Sequence, residues 1–216
     1  MNKETFILIT QRYQSWINEM EKTGCALHHQ TNQEYDEDLP YGFHLKLVAS
    51  FVTKYGYLVA GNEPDVLILY AAAYLHDSIE DARLSYNDVV KLLKKLNEKV
   101  LLPEGNIRTS VETFTPEIVY ALTNEKGRTR AERANDRYYE GIRKTRFAPF
   151  VKMCDRMANI RYGTLFAGKS RMFDIYRKEH RHFIDAIGKG ALTPVPREME
   201  ADLLQMLSED TNAVKL

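Results

Sequence analysis

The chain has 216 residues, of which 44% are hydrophobic, and its 30 basic residues balance 30 acidic ones, so the formal net charge is zero. This length predicts one domain with a sizeable core, and the balanced charge argues against a nucleic-acid polymer as a partner. Because no apolar run reaches the roughly 18 residues of a membrane helix, and because Cys25 and Cys154 lack CxxC spacing, we expect a cytoplasmic protein with free thiols and no membrane contact.

Helical signals dominate the first half of the chain. Apolar residues at helical spacing predict helices over residues 4–21 and 43–60. The polar residues 24–40 between them are expected to form a loop. Asn62 and Ser85 are typical N-cap residues, and they predict the starts of a third and a fourth helix.

The second half of the chain is less regular. Residues 100–116 contain two prolines and a glycine and are expected to connect elements, with some strand content possible around 99–115. A helix is predicted to start in residues 117–122. The highly charged residues 124–146 predict either a solvated surface or a mobile basic lid over an anionic substrate. Further helices are predicted near residues 170–187 and 196–207.

The most informative stretch is AAAYLHDSIED, residues 71–81, where an apolar run ends in four polar side chains. On a helix, His76 and Glu80 lie four residues apart and share a face, and Asp77 and Asp81 form a second such pair. Charged residues are rarely buried unless they are paired or coordinate a metal. The pattern therefore predicts a divalent cation with a carboxylate beside it.

Two distant segments supply further candidate ligands. His44 falls in the first turn of a predicted helix, and Asp155 lies four residues before Asn159 on one helical face. Two imidazoles and two carboxylates suit a borderline transition ion such as Mn²⁺, Fe²⁺, Zn²⁺ or Co²⁺. Such a site can leave coordination positions open for water and a phosphate oxygen. His28 and His29 precede a polar loop and are not expected to be ligands.

Three of these segments resemble the HD-domain metal-dependent phosphohydrolases, and in particular the hydrolase domain of the RelA/SpoT alarmone enzymes and the small alarmone hydrolases. PYGFH at 40–44 is similar to the PY-x-x-H segment of that family, and LHDSIED at 75–81 is similar to its LHDxxED. VKMCDRMANIR at 151–161 is similar to its VKLADRLxNxR. A weaker match joins residues 121–126 and 132–133 to the family's VTDDK…ER region.

The resemblance implies a fold, a reaction and a metal. The fold would be an all-α, compact HD-domain helical bundle that forms a single domain over residues 1–216, with a core at about 25–187 and the helix at 196–207 appended. The reaction would be phosphohydrolysis of a small nucleotide, with removal of pyrophosphate from a (p)ppGpp-like substrate as the favoured form. The cofactor would be one divalent transition ion, with Mn²⁺ the first choice.

The resemblance also implies a role for particular residues. Glu80 and Asp81 would position or deprotonate the attacking water. The metal would be held by His44, His76, Asp77 and Asp155. The substrate phosphates or ribose would contact Lys126, Lys152, Asn159 and Arg171.

Some features of that family are missing from this chain. Residues 28–39 contain no arginine before the first metal histidine, Ala121 stands where an acidic residue is usual, and a C-terminal Trp-Ser segment is reduced to Ser170 and Arg171. Two alternatives therefore stay open. One is a nucleotidase or nucleotide pyrophosphohydrolase with a different base specificity, and the other is a non-catalytic nucleotide-binding sensor. The sequence does not give the oligomeric state.

Overall fold

Helices make up most of the structure, which confirms the all-α prediction. The structure is a computed structural model that describes residues 1–37, 39–165 and 171–208, with Arg171 described in its backbone alone. A short antiparallel hairpin pairs β1 (Glu34–Asp36) with β2 (Leu39–Pro40). The helices are α1 (Lys3–Arg12), α2 (Gln14–Gln30), α3 (Gly42–Tyr55), a 3₁₀ turn (Gly56–Leu58), α4 (Glu63–Leu75), α5 (Tyr86–Lys99), α6 (Asn106–Leu122), α7 (Arg130–Arg133), α8 (Asp136–Lys144), α9 (Ala148–Leu165), α10 (Arg171–Gly188) and α11 (Arg197–Ser208).

Helix α4 lies at the centre of the fold. Every side chain from Val66 to Leu75 is at most 5% exposed, as expected for a helix that is apolar on all sides. It packs against α1, α2, α3, α6 and α9. The helix begins as predicted, because the Asn62 side chain accepts a hydrogen bond from the backbone N–H of Asp65 (3.1 Å) and the Asp65 carboxylate accepts one from the N–H of Asn62 (3.3 Å).

Helix α4 ends earlier than the sequence pattern predicted. Its last residue is Leu75, His76 is its C-cap, and residues 77–81 form successive turns. The prediction of one continuous helix across residues 71–81 is therefore wrong in its second half. The turns keep a helix-like path, since the N–H of Asp81 donates to the carbonyl of Asp77 at 2.8 Å. The four polar side chains consequently start where the central helix emerges from the core.

The segment between the first two predicted helices also differs from expectation. The predicted helix over 4–21 breaks at Tyr13 between α1 and α2, and α2 continues to Gln30. The predicted loop over 24–40 is thus wrong in its first part, and in its second part it contains the hairpin β1–β2. Both features depend on tertiary contacts, because the continuation of α2 buries Gly24 and His28.

The predicted connector over 100–116 is a helix for most of its length. Helix α6 runs from Asn106 through Pro116 to Leu122, and the described residues of 99–115 contain no strand. Proline usually breaks a helix interior. Here the tertiary packing outweighs that cost, because Val111, Ile118 and Val119 of α6 are at most 1% exposed and α6 packs closely along α4. The helix predicted to start at 117–122 is the last part of α6.

The charged residues 124–146 fold as α7 and α8 with short connections. Helix α8 is not simply solvated, since Tyr138, Tyr139 and Ile142 are buried and the helix packs against α6, α9 and α10. The helices predicted near 170–187 and 196–207 are observed as α10 and α11. In the described part of the chain, no helix combines the length and the apolar character that crossing a bilayer demands.

Candidate metal centre

Three elements bring the four predicted metal ligands together. His44 lies in the first turn of α3, His76 and Asp77 follow the end of α4, and Asp155 lies in the middle of α9. These three elements pack against one another. The Nε2 atoms of the two histidines face each other at 3.3 Å, and both imidazoles are 1% exposed. Residues from distant parts of the sequence therefore form one buried cluster.

The distances in this cluster match the spacing of ligand atoms around one ion. With metal–ligand bonds of about 2.1 Å, neighbouring ligand atoms lie roughly 3.0–3.4 Å apart. His76 Nε2 lies 2.8 Å from Asp77 Oδ2, and His44 Nε2 lies 3.8 Å from the same oxygen. Asp155 Oδ1 is 3.3 Å from His44 Nε2 and 3.9 Å from His76 Nε2. His44, His76 and Asp77 each offer one ligand atom within 4.8 Å of the others, and Asp155 adds a fourth beside the two imidazoles.

The backbone of α4 fixes the orientation of the His76 ring. His76 Nδ1 lies 3.0 Å from the carbonyl oxygen of Ala73, and an N–H at that position can donate to this acceptor. Such a bond leaves the lone pair of Nε2 pointing into the cluster, which is the arrangement found at most histidine ligands. His44 is held differently, because its ring stacks on Tyr35 at a centroid distance of 4.8 Å and its Nδ1 has no hydrogen-bond partner among the described residues.

The pKa values of the clustered side chains indicate that this site stabilises a positive charge. Burial lowers the pKa of His76, but the Asp77 carboxylate outweighs burial and raises that pKa to about 9. Burial also opposes ionisation of the two aspartates, yet His76 beside Asp77 and Lys152 beside Asp155 hold both carboxyl pKa values below their usual range. The donor set of two imidazoles and two carboxylates therefore suits a cation, and a divalent ion would compete with the proton on His76.

Asp155 faces both the histidine pair and a polar pocket. Its Oδ1 accepts a hydrogen bond from Asn159 Nδ2 at 2.7 Å, and its Oδ2 lies 2.8 Å from Lys152 Nζ. Tyr35 donates from its hydroxyl to Asn159 Oδ1 at 2.8 Å, so β1 is fastened to α9 beside the cluster. Two of the predicted substrate-binding residues, Lys152 and Asn159, are thus placed next to the candidate ligands.

Two aromatic contacts that the sequence did not predict support Asp77. The hydroxyl of Tyr41 donates a short hydrogen bond to Asp77 Oδ2, and this phenol stacks on the His28 ring at 4.2 Å. His28 is 1% exposed, and neither of its ring nitrogens has a partner among the described residues. His28 is therefore a buried packing partner of Tyr41.

The two predicted catalytic carboxylates lie beyond Asp77 in different surroundings. Glu80 is exposed, and its Oε1 accepts a hydrogen bond from Asn124 Nδ2 at 2.8 Å. Asp81 is half-buried, and burial together with the Asp77 carboxylate raises its pKa to about 6. The Asp77 carboxylate therefore acts on the ionisation of Asp81. Glu80 instead contacts Asn124, at the start of the charged residues 124–146.

Of the two remaining predicted substrate residues, only Lys126 has a described side chain. Lys126 is exposed and does not line the pocket beside Asp155. The side chain of Arg171 lies outside the described residues, so its predicted role stays a prediction.

A comparison of the sequence with known protein families and with curated proteins finds no match.

Proposed function

We propose that the protein is a metal-dependent phosphohydrolase of the HD type that acts on a small nucleotide in the cytoplasm. The favoured reaction is removal of pyrophosphate from a (p)ppGpp-like nucleotide. The observation that carries this proposal is the convergence of His44, His76, Asp77 and Asp155, whose donor atoms lie 2.8–3.9 Å apart across the pairs measured. This arrangement of two imidazoles and two carboxylates fits one ion of the Mn²⁺, Fe²⁺ or Zn²⁺ class.

A divalent ion held by these four residues would act as a Lewis acid that lowers the pKa of water and polarises a phosphoryl oxygen. The protein groups around it have complementary tasks. Ala73 and Tyr41 orient two of the donors through the hydrogen bonds described above. Their function is to keep the donor atoms fixed during turnover, since ligand orientation by neighbouring hydrogen bonds sets metal affinity.

Proton transfer falls to the carboxylates that follow the central helix. Asp81 lies one helix-like turn after Asp77, and in this proposal its carboxylate accepts the proton of the attacking water. A general base with a pKa near the working pH is the most effective. Glu80 orients the reactants from the solvent side, together with its hydrogen-bond partner Asn124.

Stabilisation of the developing negative charge falls to Lys152 and Asn159. Lys152 Nζ is only 2.8 Å from Asp155 Oδ2, so the cation sits beside a candidate metal ligand. A preorganised cation and amide next to the reacting phosphoryl group stabilise charge without reorganisation. Lys126 and Arg171 stay predicted contacts for the remainder of the nucleotide.

A nucleotide panel tests the reaction and separates the alternatives. The purified full-length chain is loaded with Mn²⁺, and release of phosphate and pyrophosphate is followed for ppGpp and for ordinary nucleoside mono-, di- and triphosphates. We expect release of pyrophosphate from ppGpp. Turnover of ordinary nucleotides instead would favour a different base specificity, and tight nucleotide binding without turnover would favour the sensor.

The matching variants are Asp77→Asn and Asp185→Asn. Both remove one carboxylate charge, but Asp185 is exposed on α10, far from the ligand set in the chain. We expect Asp77→Asn to lose bound Mn²⁺ and turnover, and Asp185→Asn to keep both. An Asp77→Asn protein that retains the ion at full occupancy would contradict the ligand assignment.

A further inference from the structure

A small cationic pocket opens on the far side of Asp155 from the two histidines. It has a volume of about 80 Å³. Its size and its polar lining suit one phosphoryl group. The cations that line it are Arg130, Arg133, Lys152 and Arg156, and one carboxylate, Asp155, lines it with them.

The arginine deepest in this pocket has spare hydrogen-bond donors. Arg156 is 5% exposed and its guanidinium lies 4.1 Å from the ring centre of Phe183 and 4.3 Å from that of Tyr176. Its buried Nη1 has no hydrogen-bond partner among the described residues, although Glu179 Oε2 lies 3.5 Å away. A buried charged donor without a full partner is costly unless a ligand satisfies it.

Two further arginines lie at the mouth of the pocket, on α7. Arg130 is fixed by two hydrogen bonds of 3.0 Å to the Glu179 carboxylate on α10, which is the bidentate geometry that arginine favours. Arg133 is exposed, and no ion pair of its side chain is seen in the described part of the chain. Since Glu179 offsets one of the arginine charges, the mouth retains excess positive charge.

Asp155 links this pocket to the candidate metal centre. Its Oδ1 lies 3.3 Å from His44 Nε2, while its Oδ2 lies 2.8 Å from Lys152 Nζ inside the pocket. The Asp155 carboxylate alone would thus lie between an anion in the pocket and a phosphoryl group at the metal.

We propose that this pocket of Arg130, Arg133, Lys152 and Arg156 binds the outer phosphoryl group of the substrate, the one that does not react at the metal. The proposal rests on the proposed function and deepens it. The pocket holds the outer phosphoryl group by charge-assisted hydrogen bonds, while the inner one reacts at the metal. A nucleotide with a single phosphoryl group would leave the pocket cations without a partner.

Binding of inorganic pyrophosphate to the metal-free full-length protein tests the pocket without any reaction. We compare the wild type with Arg133→Ala and with Arg137→Ala by calorimetry. Arg137 is a matched control because its side chain is 85% exposed and lies near Glu125 instead of the pocket. We expect Arg133→Ala to weaken binding at least about tenfold, which corresponds to ~1.4 kcal/mol, and Arg137→Ala to change it less than about twofold. Because Arg133 is exposed, its loss is expected to leave the fold intact, which a thermal melt checks.

The result separates the pocket from the reaction. If pyrophosphate does not bind the wild type, or binds Arg133→Ala as tightly, the pocket assignment is wrong even if nucleotides are hydrolysed. If pyrophosphate binds through Arg133 and no nucleotide is hydrolysed, the pocket assignment stands and the proposed function fails. With active protein, Arg133→Ala is expected to raise KM for a nucleoside 3′-diphosphate and not for the 3′-monophosphate, and equal effects on both would also overturn the proposal.

Discussion

Single residues determine whether the centre can hold an ion, and His76 is the most constrained of them. Its Nδ1 is fixed on the carbonyl of Ala73, so the ring cannot turn without losing a buried hydrogen bond. Asp77 raises its pKa to about 9 against the effect of burial. A divalent ion would therefore displace a proton from His76 on binding, which makes the affinity for the ion fall as the pH is lowered.

The first prediction concerns the ligand role of His76. His76→Ala is expected to weaken Mn²⁺ binding by at least ~10-fold, because loss of even a group that merely orients a ligand costs about 10–100-fold. His29→Ala is the matched control, since His29 is exposed on α2. Calorimetry with Mn²⁺ on both purified variants checks the prediction, and equal affinities would refute the ligand role.

The second prediction concerns the stability of the protein in acid. Burial lowers the pKa of His28 to about 4 in the folded chain, although the Asp77 carboxylate opposes this effect. The unfolded chain takes up a proton on His28 near pH ~6.5, while the folded chain does not until about pH 4. The contribution of His28 to stability is therefore complete above pH ~6.5 and is lost progressively as the pH falls towards 4.

His28→Phe isolates that contribution. Phenylalanine can keep the stacking on Tyr41 and has no titratable nitrogen, so the variant is expected to gain on the order of 1–2 kcal/mol relative to wild type between pH 7 and pH 5. Urea unfolding of both proteins at several pH values measures the difference. A difference that does not change with pH would show that His28 titrates alike in both states.

The sequence predicted the polar atoms of the site but not the residues that hold them. His44, His76, Asp77 and Asp155 stand out because charged and imidazole side chains interrupt apolar segments. The roles of Tyr35, Tyr41 and His28 depend on the β1–β2 hairpin and on the extension of α2. The local sequence does not predict these contacts, because each one joins residues of different secondary-structure elements.

At the scale of secondary-structure elements, the position of the site depends on how closely α2 approaches α4. The two helices are in close contact at Gly24, where an added Cβ would overlap with the carbonyl oxygen of Tyr74. Tyr74 lies two residues before the candidate ligand His76. The absence of a Cβ at Gly24 thus allows α4 to end where its ligands meet those of α3 and α9.

The third prediction tests this contact. Gly24→Ala is expected to destabilise the fold by about 1–3 kcal/mol, because overpacking forces the backbones apart. Gly141→Ala is the control within another helix, since a Cβ at Gly141 meets no atom within 4 Å. Alanine there is expected to stabilise the protein by about 0.5–1 kcal/mol. Chemical denaturation measures both changes, and a neutral Gly24→Ala would contradict the close approach.

Elements whose limits are set locally were predicted well, and those set by packing were not. The Asn62 and Ser85 caps are reciprocal side-chain and backbone hydrogen bonds within four residues, so the sequence contains all the information they need. Helix α6 runs through Pro116 because its apolar face packs on α4. That stabilisation comes from residues far away in the chain, and local rules therefore favoured a connector.

At the scale of the whole molecule, the candidate centre ties together α3, the end of α4 and α9. These elements contribute much of the buried core, and the four polar ligands lie where the three meet. Repulsion between the carboxylates is balanced without an ion by the proton on His76 and by Lys152. An ion bound there would cross-link segments that are distant in the sequence, and it would bind the folded chain much more tightly than the unfolded one.

The fourth prediction follows from that linkage. Binding to the folded state alone stabilises it by about 2.7 kcal/mol when free ion exceeds its Kd by a hundredfold, which for a chain of this size raises Tm by roughly 5–10 °C. Mn²⁺ added to the metal-free protein should give a shift of this order in a thermal melt. His44→Gln should lose most of the shift, since α3 then contributes no imidazole, whereas His29→Gln should keep it. If His44→Gln melts with an undiminished shift, the ion binds elsewhere. The assignment of the cluster at the junction of α3, α4 and α9 as the metal site would then be wrong.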